Sequence, residues 1–438
     1  NLTFPEQGEE LAMSQEEAAG QLRALLSDAT RLRLRADVQV GSYLSGGIDS
    51  TLIAALIRHH TPESLCTFSV AFEEAAFDER SYQEIATAFL GTDHRRTACT
   101  NADIARVFPE VVWHTETPIL RTSPAPMYRL SRLVRENGIK VVLTGEGADE
   151  FLGGYNIYKE DKVRRFWARQ PDSSWRPLLL RRLYPYVADL ARGGDYLAAF
   201  FRQGLTEVDQ IGYSHRIRWR NTSRLQRLFS PALRETLAGY DPVEELVQSL
   251  NGSLTRWSPL AQAQYLEVAT FMSPYLLSSQ GDRMMAANSV EGRFPFLDHR
   301  VVEFCSQLPP RFKLRGLEEK HILKRSAREL LPREIWQRRK QPYRAPIHPA
   351  FLTESFDYVA SLLSHEAVRE GGVFNPEAVA RLVRKCQTGR RVSEGDDMAL
   401  VGILSTQLLH HQFVKNFPSR SIPAADPVRI FYGEGVKV

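Results

Sequence analysis

Cysteine is scarce: four residues in 438, Cys66, Cys99, Cys305 and Cys386, far apart and without a CxxC pair. Nothing in that spacing supports a disulfide framework, and the thiols are expected to be buried or half-buried in a reducing compartment. Long apolar runs are missing as well. No stretch approaches the roughly 18–20 uninterrupted apolar residues of a transmembrane helix. The start, NLTFPEQGEE, is acidic and lacks the basic-then-apolar plan of a signal peptide. A cytoplasmic chain with no membrane partner is expected. There is also little excess of one charge. The formal net charge is +4, too small to argue for nucleic acid. Local basic clusters, Arg216-Ile217-Arg218-Trp219-Arg220 and Arg338-Arg339-Lys340, read first as solvated faces and second as contacts to a phosphate-bearing substrate.

What remains is an ordinary globular composition, 43% hydrophobic and 25% charged, long enough for one large domain or two to three smaller ones. Ser14-x-x-Glu17 is a capping box, and Leu22, Leu25, Leu26, Ala29 and Leu32 follow at helical spacing. Strands are expected over 38–44, 66–72 and 139–143 from their β-branched and aromatic content. Helices are expected over 50–58, over 78–90 closed by Gly91, and over 126–137 closed by Gly138. Strands alternating with helices predict an α/β fold with a parallel sheet covered by helices on both faces. Residues 159–250 are irregular and rich in Arg, Trp and Tyr, and read as a helical insertion. From 258 to 417 the pattern is largely helical.

The first chemical motif is Tyr43-Leu44-Ser45-Gly46-Gly47-Ile48-Asp49-Ser50. It follows a strand and opens a helix. In that setting exposed N–H groups and close-approaching glycines bind phosphate, and Ser45 and Ser50 add hydroxyls. Asp49 would repel phosphate directly, so a bound Mg²⁺ is its natural partner. The GK[ST] ending of a Walker A loop is absent. SGGIDS resembles the PP-loop of the N-type ATP-pyrophosphatases, which cleave ATP between the α and β phosphates. The resemblance implies ATP and Mg²⁺ but does not choose among the asparagine, GMP, NAD, argininosuccinate and tRNA-lysidine synthetases of that group.

Further motifs choose the branch. Val141-Val142-Leu143-Thr144-Gly145-Glu146-Gly147-Ala148-Asp149-Glu150, then Gly153-Gly154-Tyr155, resembles the signature bordering the active site of asparagine synthetases. Ligands of α/β sheets sit beyond the carboxyl ends of strands, so this loop should face the first one. Its three carboxylates repel unless they hold a cation or accept donors from a substrate amine. Asp282-Arg283 with Glu291-Gly292-Arg293-Phe294-Pro295-Phe296-Leu297-Asp298 resembles the family's D-R…E-x-R-x-P-F-L-D block. There Asp282 and Arg283 are expected to face pyrophosphate and its metal, and Arg293 and Asp298 to brace structure. Lys320, within Glu318-Glu319-Lys320-His321, falls where the family has an active-site lysine. A preorganised ammonium suits adenylation and AMP departure, because both develop charge on phosphate oxygens. Arg338-Arg339-Lys340-Gln341 is similar to the family's basic R-x-K-Q stretch, for which pyrophosphate contact is the expected role.

Membership of the asparagine synthetase family implies an adenine nucleotide alpha hydrolase-like PP-loop fold with a largely helical C-terminal part. The expected division is 1–30 linker and opening helix, 31–158 ATP-pyrophosphatase core, 159–257 helical insertion, and 258–438 completing the active site. The expected ATP contacts are Leu44, Ser45, Gly46, Gly47, Asp49, Ser50, Val70, Thr144 and Gly145. Asp49 and Asp282 are expected at the metal, and Lys320, Glu146 and Asp149 in catalysis. The implied reaction adenylates a carboxylate, with aspartate the first choice, and lets ammonia displace AMP. The start, Asn1-Leu2-Thr3-Phe4-Pro5, looks like the linker that follows a glutaminase domain. A glutaminase domain or subunit is therefore the expected partner, and the chain as given is expected to use free ammonia. The insertion, longer than in compact members, leaves other carboxylates open. So do a cyclase of the β-lactam-synthetase or lasso-peptide kind and a catalytically inactive scaffold. Oligomeric state stays open.

Overall fold

In the computed structural model, residues 2–61, 63–74, 78–184, 194–250, 252–341, 343, 345–389 and 392–417 are described. The last part of the expected 258–438 segment, 418–438, lies outside them. The fold is α/β. Five strands, β1 (Val40–Tyr43), β2 (Cys66–Phe72), β3 (Asp93–Cys99), β4 (Val141–Leu143) and β5 (Glu291–Arg293), form one sheet in the order β3-β2-β1-β4-β5. Every neighbouring pair is parallel.

The local reasons are those the sequence carries. Helix α1 (Gln15–Arg33) begins at the Ser14/Glu17 capping box, with both reciprocal bonds formed, and buries Leu22, Leu26 and Ala29. Strand β1 is shorter at its start than expected, because Val38 is 42% exposed. At its far end Leu44 still donates to the Phe68 carbonyl at 2.9 Å. Helix α2 (Ile48–His60) starts on Gly47, two residues earlier than expected, because the glycine turn ends there. Helix α3 (Arg80–Leu90) closes on Gly91 in the left-handed conformation.

Two strands and a helix were not expected. β3 reads DHRRTAC with mostly half-buried or exposed side chains, the charged, solvated face of an edge strand. β5 has three residues, too few for a period. Helix α4 (Asn101–Thr115) carries Pro109 but starts on a second capping box, Thr100 with Asp103. Helix α5 (Pro124–Glu136) precedes β4.

Successive strand residues feed opposite faces. Leu44 and Leu143 join an apolar cluster with α1, α2 and residues 301–335. Tyr43 and Val142 join one with α4, α5 and residues 345–362. The sheet is thus buried on both sides, as parallel sheets require. Beyond β4 come α6 (Ala148–Leu152) and α7 (Asn156–Ala168). The described residues that follow, as far as Arg256, form short helices and turns, with an apolar cluster of Val163, Trp167, Leu180, Leu197, Phe201 and Ile217. All four cysteines are buried and unpaired. Among the described residues no helix is long and apolar enough to cross a membrane.

Candidate active site

The carboxyl ends of β1 and β4 carry the two glycine-bearing loops side by side. After β1, Gly46 adopts φ +75°, and a Cβ there would lie 2.5 Å from the Tyr82 carbonyl carbon. Only glycine fits between this loop and the start of α3. The loop is tied by its own hydroxyls. The Ser45 N–H donates to Ser50 Oγ at 3.1 Å, the two serine hydroxyls share a bond at 3.0 Å, and Thr51 Oγ1 donates to the Gly47 carbonyl at 2.7 Å. Asp49 sits in the first turn of α2, where the helix favours negative charge. After β4, Thr144 donates its N–H to the Arg293 carbonyl at 3.0 Å. Gly145 then packs over Asp49, with room for no Cβ. Leu44, Val70 and Thr144 are buried near the strand ends, and Ser45 is exposed.

Two lysines from distant parts of the chain close the cluster. Lys320 Nζ lies 2.5 Å from Asp49 Oδ2 and 2.7 Å from Asp149 Oδ1. The second contact is an ion pair without hydrogen-bond alignment. Lys340 Nζ donates to Asp149 Oδ2 at 2.6 Å. Lys320 is 1% exposed and has φ 52°, a left-handed backbone at the start of the helix His321–Ala327. That conformation costs a non-glycine residue roughly 1–2 kcal/mol, and such strain collects at functional sites. Gly154 is packed so closely that a Cβ would run into the Asp149 carboxylate and Lys320 Cε.

Charge is unevenly shared. Burial pushes Asp149 up, but the Lys320 and Lys340 ammoniums together outweigh it and hold it at about 2. Asp49 is raised, because burial and the nearby Asp149 outweigh Lys320. Burial works against the Lys340 ammonium too, yet Asp149 and Asp49 raise its pKa on balance. Glu146 is pushed up to about 7, first by burial. Glu150 is pushed up to about 8 by burial and by Asp149, while it accepts from Tyr155 Oη at 2.8 Å.

Asp49, Glu146, Asp149 and Lys320 of the expected catalytic and metal residues are therefore close neighbours. Asp282 ends the π-helical stretch Val268–Asp282 and is exposed. Among the described residues Asp282 forms no ion pair. Arg283 binds the His114 carbonyl at 2.9 Å and Glu116 at 2.8 Å at the end of α4. Arg293 and Asp298 do not pair with each other. Arg293 binds the Arg33 and Arg35 carbonyls, and Asp298 binds Arg33 and Arg300, so both brace the end of α1. Lys340 enters the cluster more deeply than its place in a basic run indicates, and Glu150, expected only as one of three carboxylates of its loop, is fully buried beside them. Arg338 lies over the Tyr82 ring at 3.9 Å, beside the Gly46 turn. It is ion-paired with Glu79, and its Nη1 is buried without a partner.

The donor set fits a nucleotide with a divalent cation. Asp49 Oδ1 is buried with no hydrogen-bond partner, an oxygen free for a hard cation. Among the described residues no three His, Cys, Asp or Glu side chains form a ready-made metal cluster.

The asparagine synthase family profile matches residues 21–411. The amidase chyE of Penicillium rubens is 31% identical over 380 residues, 79% of this chain and 55% of its own length. The amidase chry2 of Gibberella zeae is 28% identical over 378 residues, 79% and 55%. The glutamine-hydrolysing asparagine synthetase 1 of Bacillus subtilis is 28% identical over 349 residues, 78% and 52%. The chain spans about half the length of the curated relatives it matches.

Proposed function

The chain belongs to the asparagine synthase family, and from that premise we propose that it is an ATP-dependent amide-forming ligase. It activates a carboxylate as acyl-AMP with release of pyrophosphate, and an amine then displaces AMP. The observation that carries the reading is the juxtaposition of Lys320, Lys340, Asp49 and Asp149 beside the loop Ser45–Ser50.

Each residue has a task in this scheme. The loop N–H groups and the Ser45 and Ser50 hydroxyls bind phosphate oxygens, and Leu44, Val70, Thr144 and Gly145 receive adenine and ribose. Asp49 would hold Mg²⁺, which would offset triphosphate charge, and Asp282 would be a second carboxylate on the metal side. Lys320 and Lys340 stabilise charge developing on the α-phosphate and on departing pyrophosphate. Asp149 keeps both ammoniums aimed. Glu146, poised at about 7, accepts a proton from the attacking amine near neutral pH, as a general base should.

The carboxylate is taken as aspartate and the amine as ammonia supplied by a glutaminase domain or subunit, since the Bacillus subtilis relative is named for that activity. The test is to incubate the purified chain with ATP, Mg²⁺, a panel of acids led by aspartate, and ammonium or glutamine, and to separate the nucleotides. AMP and pyrophosphate are expected, with ammonium as nitrogen source. Stoichiometric ADP would sink the reading. Turnover of an amine-bearing acid without added nitrogen would favour ring closure over amidation.

A further inference from the structure

Glu319 stands next to Lys320 in the chain but outside the ion-pair cluster. It is 3% exposed and joins three segments. Its Oε2 takes Lys159 Nζ of α7 at 2.6 Å. Its Oε1 pairs with Lys324 Nζ at 3.3 Å and accepts the backbone N–H of Lys340 at 3.1 Å. Burial would push this carboxyl up, but Lys159 and Lys324 hold it at about 2, so it is ionised throughout any working range.

Lys320 and Lys340 both reach Asp149, from segments that meet nowhere else in sequence. The stretch around Lys340 is without helix or strand, and such backbone needs an anchor to hold a side chain to within an ångström. Lys320 needs one too, because its left-handed backbone is strained. A single carboxylate supplies both. Resting on the ligase reading above, we propose that Glu319 is a positioning residue: it fixes Lys320 through the adjoining peptide and Lys340 through that lysine's own amide.

The requirement is for reach and an acceptor oxygen at that spot, more than for charge. Glu319→Gln keeps the oxygen and loses the charge. Glu319→Asp keeps the charge and withdraws it by one methylene. Positioning therefore predicts that Gln is the milder change. A carboxylate present only to neutralise Lys159 and Lys324 predicts the reverse order.

The experiment measures kcat and the KM for ATP from pyrophosphate release by the native chain and both variants, below their melting temperatures. The expected result for Glu319→Gln is a loss under about tenfold, the scale of one ordinary hydrogen bond. The expected loss in kcat for Glu319→Asp is about 10²-fold with KM for ATP nearly unchanged, the scale of misplacing a catalytic group by about 1 Å. The reverse order, or native kcat in Glu319→Asp, overturns the proposal. Hydrogen exchange gives a readout that needs no turnover. Glu319→Asp should expose the amides of residues 319–324 and 338–341 while the sheet keeps its protection. Unchanged exchange there would also overturn positioning. A native chain that releases no pyrophosphate, with this exchange pattern still seen, would instead count against the ligase reading.

Discussion

Two clusters of charged side chains flank the segment from Asp149 to Ala168, and they are finished differently. Around α7 the charges are closed. Arg164 donates to the carbonyls of Phe201, Tyr213, Gln203 and Gly204 and lies 4.2 Å over the Tyr213 ring. Arg165 is held by Asp161 and the Val208 carbonyl, and Arg218 by Glu160. At the strand ends the charges are left open. Asp49 keeps a buried oxygen without a partner, and Glu146 and Glu150 sit well above ordinary carboxyl values. Buried polar groups are almost always satisfied, so a closed network reads as structure and an open one as a place for a ligand. The basic Arg216–Arg220 stretch illustrates the closed kind: Arg216, Arg218 and Arg220 bind the Ile211 carbonyl, Glu160 and Glu207.

That contrast can be broken first at Lys320. Lys320→Ala should keep ATP binding and lose turnover by about 10²-fold or more, the scale for removing one transition-state charge stabiliser. Pyrophosphate release and an ATP titration check it. Near-normal turnover would make the open cluster as structural as the closed one. Arg164→Met tests the opposite side. It removes the guanidinium that four carbonyls share, and the expected cost is about 3 kcal/mol in denaturant unfolding. Turnover of the folded fraction should stay within about twofold, because Arg164 touches nothing at the strand ends.

A smaller change separates the two kinds of effect within one residue. The atoms a Gly154→Ala methyl would meet are the ends of the Asp149 and Lys320 side chains, which must shift to admit it. Stability should fall by about 1–3 kcal/mol, the scale of overpacking. The displaced ion pair should lower kcat by about tenfold. A stability loss with unchanged kcat would mean that the ion pair is bystander packing.

What was legible in the sequence follows from the same division. The loop Ser45–Ser50 and the loop after β4 are local. Glycines, a preceding strand and a following helix sit within ten residues, so context and chemistry could be read together. The capping boxes at Ser14 and Thr100 are equally local, although only the first was recognised. β3 was missed because an edge strand of DHRRTAC offers charge where a buried strand offers apolar residues. The Lys340–Asp149 pair spans 191 positions, and no spacing rule reaches that far. The contact of Arg283 with Glu116 at the end of α4 spans 167 positions and is equally out of reach of spacing rules. In the sequence Glu319 is only a neighbour of Lys320, and its hold on Lys340 exists only in three dimensions.

The smallest expected effect bears most directly on why the open cluster is tolerated. Glu146 has an ordinary value of 4.5 and is raised to about 7, burial being the main cause. Below about 4.5 it is protonated in both folded and unfolded chains and contributes nothing to the pH dependence of stability. Between about 4.5 and 7 the unfolded chain releases the proton while the folded chain keeps it. The folded state then binds more protons, and stability falls as pH rises. Above about 7 the penalty is complete and constant. Glu146→Gln removes that penalty, so its melting temperature should exceed that of the native chain at pH 8 by a few degrees at most, and match it near pH 4.5. The same variant should fail to form amide, because an amide side chain cannot take the proton from the amine. A gain in stability confined to high pH, together with lost activity, would identify Glu146 as a residue retained at a cost to the fold. Equal melting temperatures at both pH values would place it with the closed charges of α7.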